Sequence, residues 1–225
     1  MFDKTFLKFF RTLAKNNNRE WFNEHKPEYK KTVVEPLGAF ISEMAPRLNK
    51  ISTHFVADPR PNGGSMFRIY RDMRYSKDKT PYKIHAACQF RHKAGKDAHA
   101  PGFYVHMSPQ EIIFGGGIWV PPNSVLNKIR DTIVDNPQEW LRIKTNRSLN
   151  KWCGGVRGDG LVRPPKGFNP EHEHIEDLKR KSFFAMRHEK ADFMFDKYFI
   201  DEVEATFKAA KPLMKYICFA LDVPF

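Results

Sequence analysis

Apolar and polar residues alternate through the middle of the chain, and this pattern restricts the fold more than any other. The stretch YKIHAACQF, residues 82–90, is apolar at every second position, which is typical of a half-buried β-strand. GFYVHMS, residues 102–108, continues the pattern with one apolar and one polar face: Phe103, Val105 and Met107 against Tyr104 and His106. A turn at Ser108–Gln110 would return the chain along EIIFGGG, so an antiparallel meander is predicted.

Helical spacing precedes this alternation. Asp3 or Thr5 can cap a first helix, and Asn18 can cap a second one. A further helix carries apolar residues at intervals of three and four: Leu37, Phe40, Ile41, Met44 and Leu48. Pro46 leaves the end of that helix undetermined.

Helical spacing also returns after the meander. Ser124 is the predicted cap of a helix that ends near Asn136 and Pro137. One helix is predicted from the apolar residues of the next segment: Ile175, Leu178, Phe183, Phe184 and Met186. A longer terminal helix over residues 203–221 is expected to be bent or broken at Pro212.

These segments predict an α+β protein. Residues 1–225 would form a single domain, with N-terminal helices, a central antiparallel β-meander and C-terminal helices packed on the sheet. At 225 residues the chain is long enough to enclose one large core.

The chain is strongly basic. Lys+Arg number 38 and Asp+Glu 26, so the formal charge at pH 7 is 38 − 26 = +12. Such a charge attracts nucleic acid, phosphorylated ligands and acidic membrane surfaces, although it also serves solubility alone.

We expect a cytoplasmic protein without a membrane partner. No stretch approaches the about 20 apolar residues that span a bilayer, and the start of the chain is too charged for a secretory leader. Cys88, Cys153 and Cys218 are widely separated, and this spacing indicates neither a disulfide framework nor a zinc finger. Reduced thiols fit this expectation.

The segment FRIYRDMRYSKDKTPYK, residues 67–83, concentrates positive charge. It is predicted as two extended stretches joined by a turn at residues 76–79. In an extended chain Arg71 interrupts an otherwise apolar face formed by Phe67, Ile69, Met73 and Tyr75. Such an arginine requires a carboxylate or a bound anion, because an unpaired buried charge is costly.

Two interpretations of this segment stay open. In the first, Arg68, Arg71 and Arg74 converge with Lys79 or Lys83 on a phosphate or carboxylate, which guanidinium groups bind in a bidentate manner. In the second, Arg71 and Asp72 join an internal ion-pair network that fixes the loop, and the lysines are solvated.

The same segment resembles a known family. RIYRDMRYSKDKTPYK, NNNREWFNEHKPEY before it, and GFYVHMSPQEIIFGGGIW, IRDTIVDNP and RPPKGFNPEHEHIEDLKRKSF after it are similar to motifs of the bacterial and fungal family named domain of unknown function 2461. The resemblance implies signature positions in the basic segment at Arg68, Arg71, Asp72, Arg74, Ser76, Lys79, Pro81, Tyr82 and Lys83. It implies further motif positions at Asn17, Arg19, Trp21, Phe22, Gly116 and Gly117. It implies no catalytic residue.

Two glycines and two histidines are the next candidates for binding an anion or a metal ion. FGGGIW lacks the spacing of a dinucleotide site, so Gly116 and Gly117 indicate a bulge or close backbone contact, or else an anion-binding nest beside the arginines. His172 and His174 are two residues apart and point to different sides of a helix, so no metal site is predicted.

His85 and His106 lie on the polar faces of strands that we expect to be neighbours. Histidine can transfer protons near neutral pH, so these two residues and Asp72 are the catalytic candidates if the protein is an enzyme. Surface or hydrogen-bonded histidines are the alternative.

The leading hypothesis is a basic protein that binds a small anionic ligand bearing a phosphate or carboxylate. Its predicted ligand-binding residues are Arg68, Arg71, Arg74, Lys79, Tyr82, Lys83, Gly116 and Gly117. One alternative is sequence-nonspecific nucleic-acid binding that also uses residues 141–152, LRIKTNRSLNKW. The other is a structural ion-pair brace. Cofactor, reaction and oligomeric state stay open.

Overall fold

The N-terminal part of the protein is helical in the computed structural model, which describes residues 2–95 and 100–225. The bounds are α1 Lys4–Lys15, α2 Arg19–Glu24, α3 Lys26–Tyr29 and α4 Glu35–Ile51, with a π-helical turn at Lys30–Val34. The predicted caps are confirmed: Asp3 accepts from the Thr5 amide at 2.7 Å, and Asn18 accepts from the Trp21 amide at 2.9 Å. α4 continues through Pro46.

A four-stranded antiparallel sheet follows, in the order β1-β2-β3-β4. Its strands are β1 Ala86–Arg91, β2 Gly102–Met107, β3 Glu111–Ile118 and β4 Phe183–Lys190. The hydroxyl of Ser108 accepts from the amides of Gln110 and Glu111 at 3.3 and 3.1 Å, which fixes the turn between β2 and β3. The predicted meander is confirmed, and the sheet gains β4 as a fourth strand.

The C-terminal half supplies most of the helical cover. Its elements are α5 Asn123–Asp135, α6 Pro137–Lys144, α7 Arg147–Cys153, α8 Ile175–Leu178, a 3-10 turn at Ala191–Phe195, and α9 Phe199–Ala220. Pro212 lies inside α9, so the helix is not broken there, and the predicted bend stays a prediction. Ser124 is not the cap of α5, because that helix begins at Asn123 after Pro122 and has no side-chain cap.

The single helix predicted from Ile175 to Met186 is also wrong. One helical turn, α8, ends at Leu178, and residues from Phe183 onward form β4. Phe183 and Ala185 are fully buried, whereas Phe184 and Met186 are half-buried, so this short apolar run alternates across two faces. A short apolar run does not distinguish a strand from a helix by periodicity alone.

The inner face of the sheet packs against α9. The rings of Phe103 on β2 and Phe207 on α9 stack with centroids 4.7 Å apart. Buried residues of α1, α4 and the sheet belong to the same core. These contacts confirm the α+β class, with helices packed on the sheet.

The outer face and the edges of the sheet are partly covered by loops. Ala87 and Gln89 are buried although Ile84 is exposed, so the predicted half-buried strand over residues 82–90 is wrong in its extent and in its exposed face. Isolated bridges close the edges: Phe55 to His92 and Met66 to Cys88 beside β1, and Arg157 to Phe184 beside β4. Within the described ranges, no helix has both the length and the apolar character required to cross a membrane.

Candidate functional site

The basic segment forms two extended stretches that run antiparallel. The Phe67 amide donates to the Ala87 carbonyl at 2.9 Å, and the Arg71 amide donates to the Pro81 carbonyl at 2.9 Å. Isolated bridges join Met66 to Cys88 and Tyr70 to Tyr82. The predicted strand-turn-strand arrangement therefore holds as two short pairings and not as continuous strands.

A bulge separates these two bridges. From Tyr82 to Cys88 there are 88 − 82 = 6 residue steps, whereas from Met66 to Tyr70 there are 70 − 66 = 4. The two additional residues of the longer stretch lie at a bend, at Ile84 and His85. Bulges redirect side chains, and here the ring of His85 comes within 4.3 Å of the His106 ring on β2, measured between centroids.

The end of the basic segment is fixed to the N-terminal motif. The side chain of Asn17 donates to the Tyr82 carbonyl at 3.0 Å and accepts from the Tyr82 amide at 3.1 Å. The Tyr82 ring stacks on Phe22 with centroids 4.1 Å apart. Two motifs that are 65 residues apart in sequence thus meet at Tyr82.

The turn of the basic segment contains internal ion pairs. Arg71, predicted to need a partner, donates to the Asp78 carboxylate and the Thr80 hydroxyl. Arg74 pairs with Asp72 at 2.7 Å. The hydrogen bond from Arg71 lowers the pKa of Asp78 to about 2, and the hydrogen bond from Arg74 lowers the pKa of Asp72 to about 2.

Lys79 and Tyr75 are two further residues of the turn. The Lys79 ammonium donates to the Met73 carbonyl at 2.9 Å. Tyr75 is 94% exposed, so its predicted place on an apolar face with Ile69 is wrong. The cause is that the extended pairing ends at Arg71, and residues 72–80 form the turn.

A second group of residues meets on the outer face of the sheet. We call it the outer-face cluster, and it comprises Phe67, Arg68, Lys83, His85, Tyr104 and His106. The Lys83 ammonium lies 5.6 Å from the centroid of the Phe67 ring, and that ring lies edge-on to Tyr104 at 6.2 Å. The Tyr104 hydroxyl is 3.4 Å from Nδ1 of His106.

Lys83 places a half-buried positive charge in the outer-face cluster. It is half-buried, and its ammonium donates to the carbonyl of Arg68 at 3.0 Å. Burial and the nearby Arg68 charge lower the pKa of Lys83. Among residues 2–95 and 100–225, neither Arg68 nor Lys83 forms an ion pair with a carboxylate.

The two histidines are held in their neutral form at pH 7. Burial lowers the pKa of His85 to about 4, with further contributions from His106 and Lys83. Burial also lowers the pKa of His106, against the opposing effect of Glu111. Burial raises the pKa of Tyr104 to about 12, so this hydroxyl keeps its proton at neutral pH.

The glycine motif lies within the sheet, apart from these charges. Gly116 pairs with Phe103 on β2 and Ala185 on β4, and Gly117 pairs with Gly102 and Phe184. A Cβ atom on Gly117 would stand 2.3 Å from the carbonyl oxygen of Phe183. This geometry corresponds to the close backbone contact that the sequence indicated.

The other sequence candidates lie elsewhere. His174 is buried, and its Nε2 lies 3.0 Å from the Pro137 carbonyl. The described residues contain no group of three or more His, Cys, Asp or Glu that could hold a metal ion. In the segment 141–152, Arg142 pairs with Glu139 at 3.2 Å and Lys144 pairs with Asp177 at 2.8 Å.

Sequence reasoning missed three residues of this surface as site candidates: Tyr104, Glu111 and His188. His188 on β4 lies 2.9 Å from the Glu111 carboxylate, and both residues influence the pKa of His106. The alternation of β2 placed Tyr104 beside His106, so that signal was present. His188 gave no such signal, because its strand was predicted as part of a helical region.

Comparison with known proteins places the chain in one family. Residues 5–216 match the family described as "Conserved hypothetical protein (DUF2461)". No curated protein and no solved structure matches the chain. Because the match covers the basic segment, the N-terminal motif and the whole sheet, the chain belongs to the DUF2461 family.

Proposed function

We propose that the outer-face cluster binds a small anionic ligand bearing a phosphate or carboxylate. One observation carries the proposal: the half-buried ammonium of Lys83 contacts the Arg68 carbonyl and the Phe67 ring, and no carboxylate. A charge withdrawn from water is costly unless an opposite charge compensates it. A ligand anion next to Lys83 and Arg68 would supply that charge.

In this proposal the other basic residues fix the backbone around the anion site and do not contact the anion. The pairs Arg71–Asp78 and Arg74–Asp72 support a structural brace that sets the turn between the two extended stretches. Tyr82, held by Asn17, fixes the strand that carries Lys83. The anion would then be recognised by Arg68 and Lys83, and the brace would set their separation.

Any proton transfer at this site would fall to the histidines. His106 has a neighbouring hydroxyl donor in Tyr104 and a pKa lowered by burial, so it can accept a proton at pH 7. Asp72 is the weaker candidate, because its pairing with Arg74 keeps the pKa of its carboxyl near 2.

A thermal-shift titration tests the proposal. The probes are inorganic phosphate, citrate, glucose 6-phosphate, ATP and a 20-residue oligonucleotide. A ligand at about 100 times its Kd should raise the Tm by about 5 to 10 °C in a domain of this size. Lys83→Gln should abolish the shift. Lys79→Gln is the matched control, because that exposed lysine also donates to a backbone carbonyl.

The result can overturn the proposal in two ways. Either no probe raises the Tm of the wild-type protein, or Lys79→Gln removes the shift as fully as Lys83→Gln does. A shift by the oligonucleotide alone would instead indicate nucleic-acid binding, if it falls steeply with salt and depends on many lysines.

A cytoplasmic location belongs to this proposal, and the three buried thiols suit a reducing compartment.

A further inference from the structure

A groove of about 700 Å³ lies between α6 and the C-terminal half of α9. Its volume falls within the range of pockets that hold small organic ligands. α9 packs on the inner face of the sheet through Phe207, whereas the groove is on the solvent side of the same helix. The groove is therefore separate from the outer-face cluster, which lies across the sheet.

Three lysines form one wall of the groove. Lys208, Lys211 and Lys215 are spaced three and four residues apart, which places them on one face of α9. Lys208 pairs with Glu204 at 2.5 Å. Lys211 and Lys215 have no carboxylate partner in the described part of the chain, and both ammonium groups contact the Phe225 ring, at 5.6 and 5.9 Å.

One carboxylate also lines the groove, but its charge is compensated. Glu139 on α6 lies in the opposite wall and pairs with Arg142 at 3.2 Å. Glu139 and Asp135 act on the Tyr216 hydroxyl, so the positive part of the groove is the end that carries Lys211 and Lys215. That end favours an anionic head group.

The remaining lining is apolar. Phe219 is 67% exposed at one end of the groove, and Ile143 lines the wall formed by α6. Tyr216 forms part of the floor, and its buried hydroxyl has no hydrogen-bond partner among the described residues. A native structure keeps few such hydroxyls, and an unpaired one beside a groove is a feature of sites that take a ligand or water.

We propose that this groove binds a small amphipathic anion: an organic carboxylate, phosphate or sulfonate. Its head group would lie between Lys211 and Lys215, with which no carboxylate of the described residues pairs. Its apolar part would cover Phe219 and the Tyr216 ring, removing exposed aromatic surface from water. Neither an inorganic anion nor an uncharged hydrocarbon would satisfy both halves of the site.

The test uses 1-anilinonaphthalene-8-sulfonate, a fluorescent aryl sulfonate, titrated into the full chain well below its Tm. We expect saturable fluorescence enhancement. The double substitution Lys211→Gln and Lys215→Gln should lower the affinity about tenfold, because two charge-assisted contacts are lost. Phe219→Ala should lower it as well. Octanoate should displace the dye, and octanol or inorganic phosphate should not.

Matched control variants distinguish dye binding in the groove from dye binding elsewhere on the protein. Lys8→Gln with Lys15→Gln removes the same two charges from exposed sites on α1 and should leave the affinity unchanged. Lys83→Gln in the outer-face cluster should also leave it unchanged. Equal losses in the α1 pair, or loss of binding in Lys83→Gln, would overturn the proposal. Far-UV circular dichroism of each variant confirms that binding is compared between folded proteins.

Discussion

The rings of His85 and His106 lie 4.3 Å apart and 33° from parallel, although one precedes β1 and the other lies on β2. Their approach depends on the bulge at Ile84 and His85. Two imidazolium charges at this separation would repel each other, and Lys83 adds a third positive charge nearby. Burial together with these charges therefore favours the neutral form of both rings.

This relationship predicts that the protein loses stability between pH 6.5 and pH 4. The pKa of His85 is about 4 in the folded protein and 6.5 ordinarily, so in this window the unfolded chain binds a proton that the folded protein does not. Stability then falls as the pH falls, by at most about 1.4 kcal/mol per pH unit for one group. Urea unfolding measured from pH 7 to pH 4 gives this slope.

Two variants test the origin of that slope. His85→Gln should reduce it to the contribution of His106, whereas His172→Gln, in the loop before α8, should retain it. The carboxyls of Asp72 and Asp78 have pKa values of about 2 against an ordinary 3.8, so they act below this window. An unchanged slope in His85→Gln would show that other groups cause the loss.

Asn17→Ala should weaken the junction between the two motifs. The substitution removes both hydrogen bonds to the Tyr82 backbone and leaves a donor and an acceptor unpaired. We expect a loss of about 1 to 3 kcal/mol in the free energy of unfolding, measured by urea denaturation. Asn23→Ala, at an exposed position of α2, should change stability by less than about 0.5 kcal/mol.

Arg71→Gln should loosen the turn over residues 72–80. Asp78 and Thr80 would lose their shared donor, and chymotrypsin should then cleave faster after the exposed Tyr75. Arg74→Gln is the comparison, because its side chain is 76% exposed and pairs with Asp72 only two residues away. Equal cleavage rates in both variants and the wild type would contradict the brace.

Two glycine substitutions should have opposite effects. A Cβ on Gly115 would lie 2.0 Å from the Ala185 carbonyl oxygen, which is backbone and cannot move aside without disturbing β4. Gly115→Ala should therefore destabilise the protein by more than about 2 kcal/mol. Gly38→Ala, in α4 with its nearest atom at 3.7 Å, should stabilise it by about 0.5 to 1 kcal/mol. Thermal unfolding measures both.

Tyr216→Phe should raise the Tm. The buried hydroxyl of Tyr216 has no hydrogen-bond partner among residues 2–95 and 100–225, so its removal relieves a desolvation cost of about 1 to 3 kcal/mol and leaves the ring packing on Trp140. Tyr104→Phe removes a hydroxyl that faces His106 and should not raise the Tm. A lower Tm in Tyr216→Phe would mean that the hydroxyl has a bound partner in solution.

Local signals predicted much of the backbone. Asp3 and Asn18 cap their helices because a short oxygen-bearing side chain can satisfy the first free amides. The alternation across β2 survives because one of its faces is buried in the core. Phe183 to Met186 were assigned to a helix because four apolar residues fit either period, and only their pairing with β3 decides between them.

The site depended on pairings and burial that the sequence does not reveal. Arg71 needed a partner, and the partner proved to be Asp78 within the same turn. Lys83 was one basic residue among several until the fold buried it beside Arg68. His188 entered the surface only because β4 pairs with β3. Among the described residues, pairing with a carboxylate, more than residue type, separates the brace from the ligand candidates.

Loop residues form isolated β-bridges along both edges of the sheet, and these bridges limit self-association. An open strand edge offers unpaired amides and carbonyls on which a second molecule can add a strand, the first step toward ordered aggregates. Here Met66 and Phe55 occupy positions beside β1, and Arg157 occupies one beside β4. The rest of the β4 edge carries Arg187, Glu189 and Lys190, whose charges oppose pairing with a strand of another copy. The segment that carries Arg68 and Lys83 thus also covers part of the β1 edge, through the bridge of Met66 to Cys88.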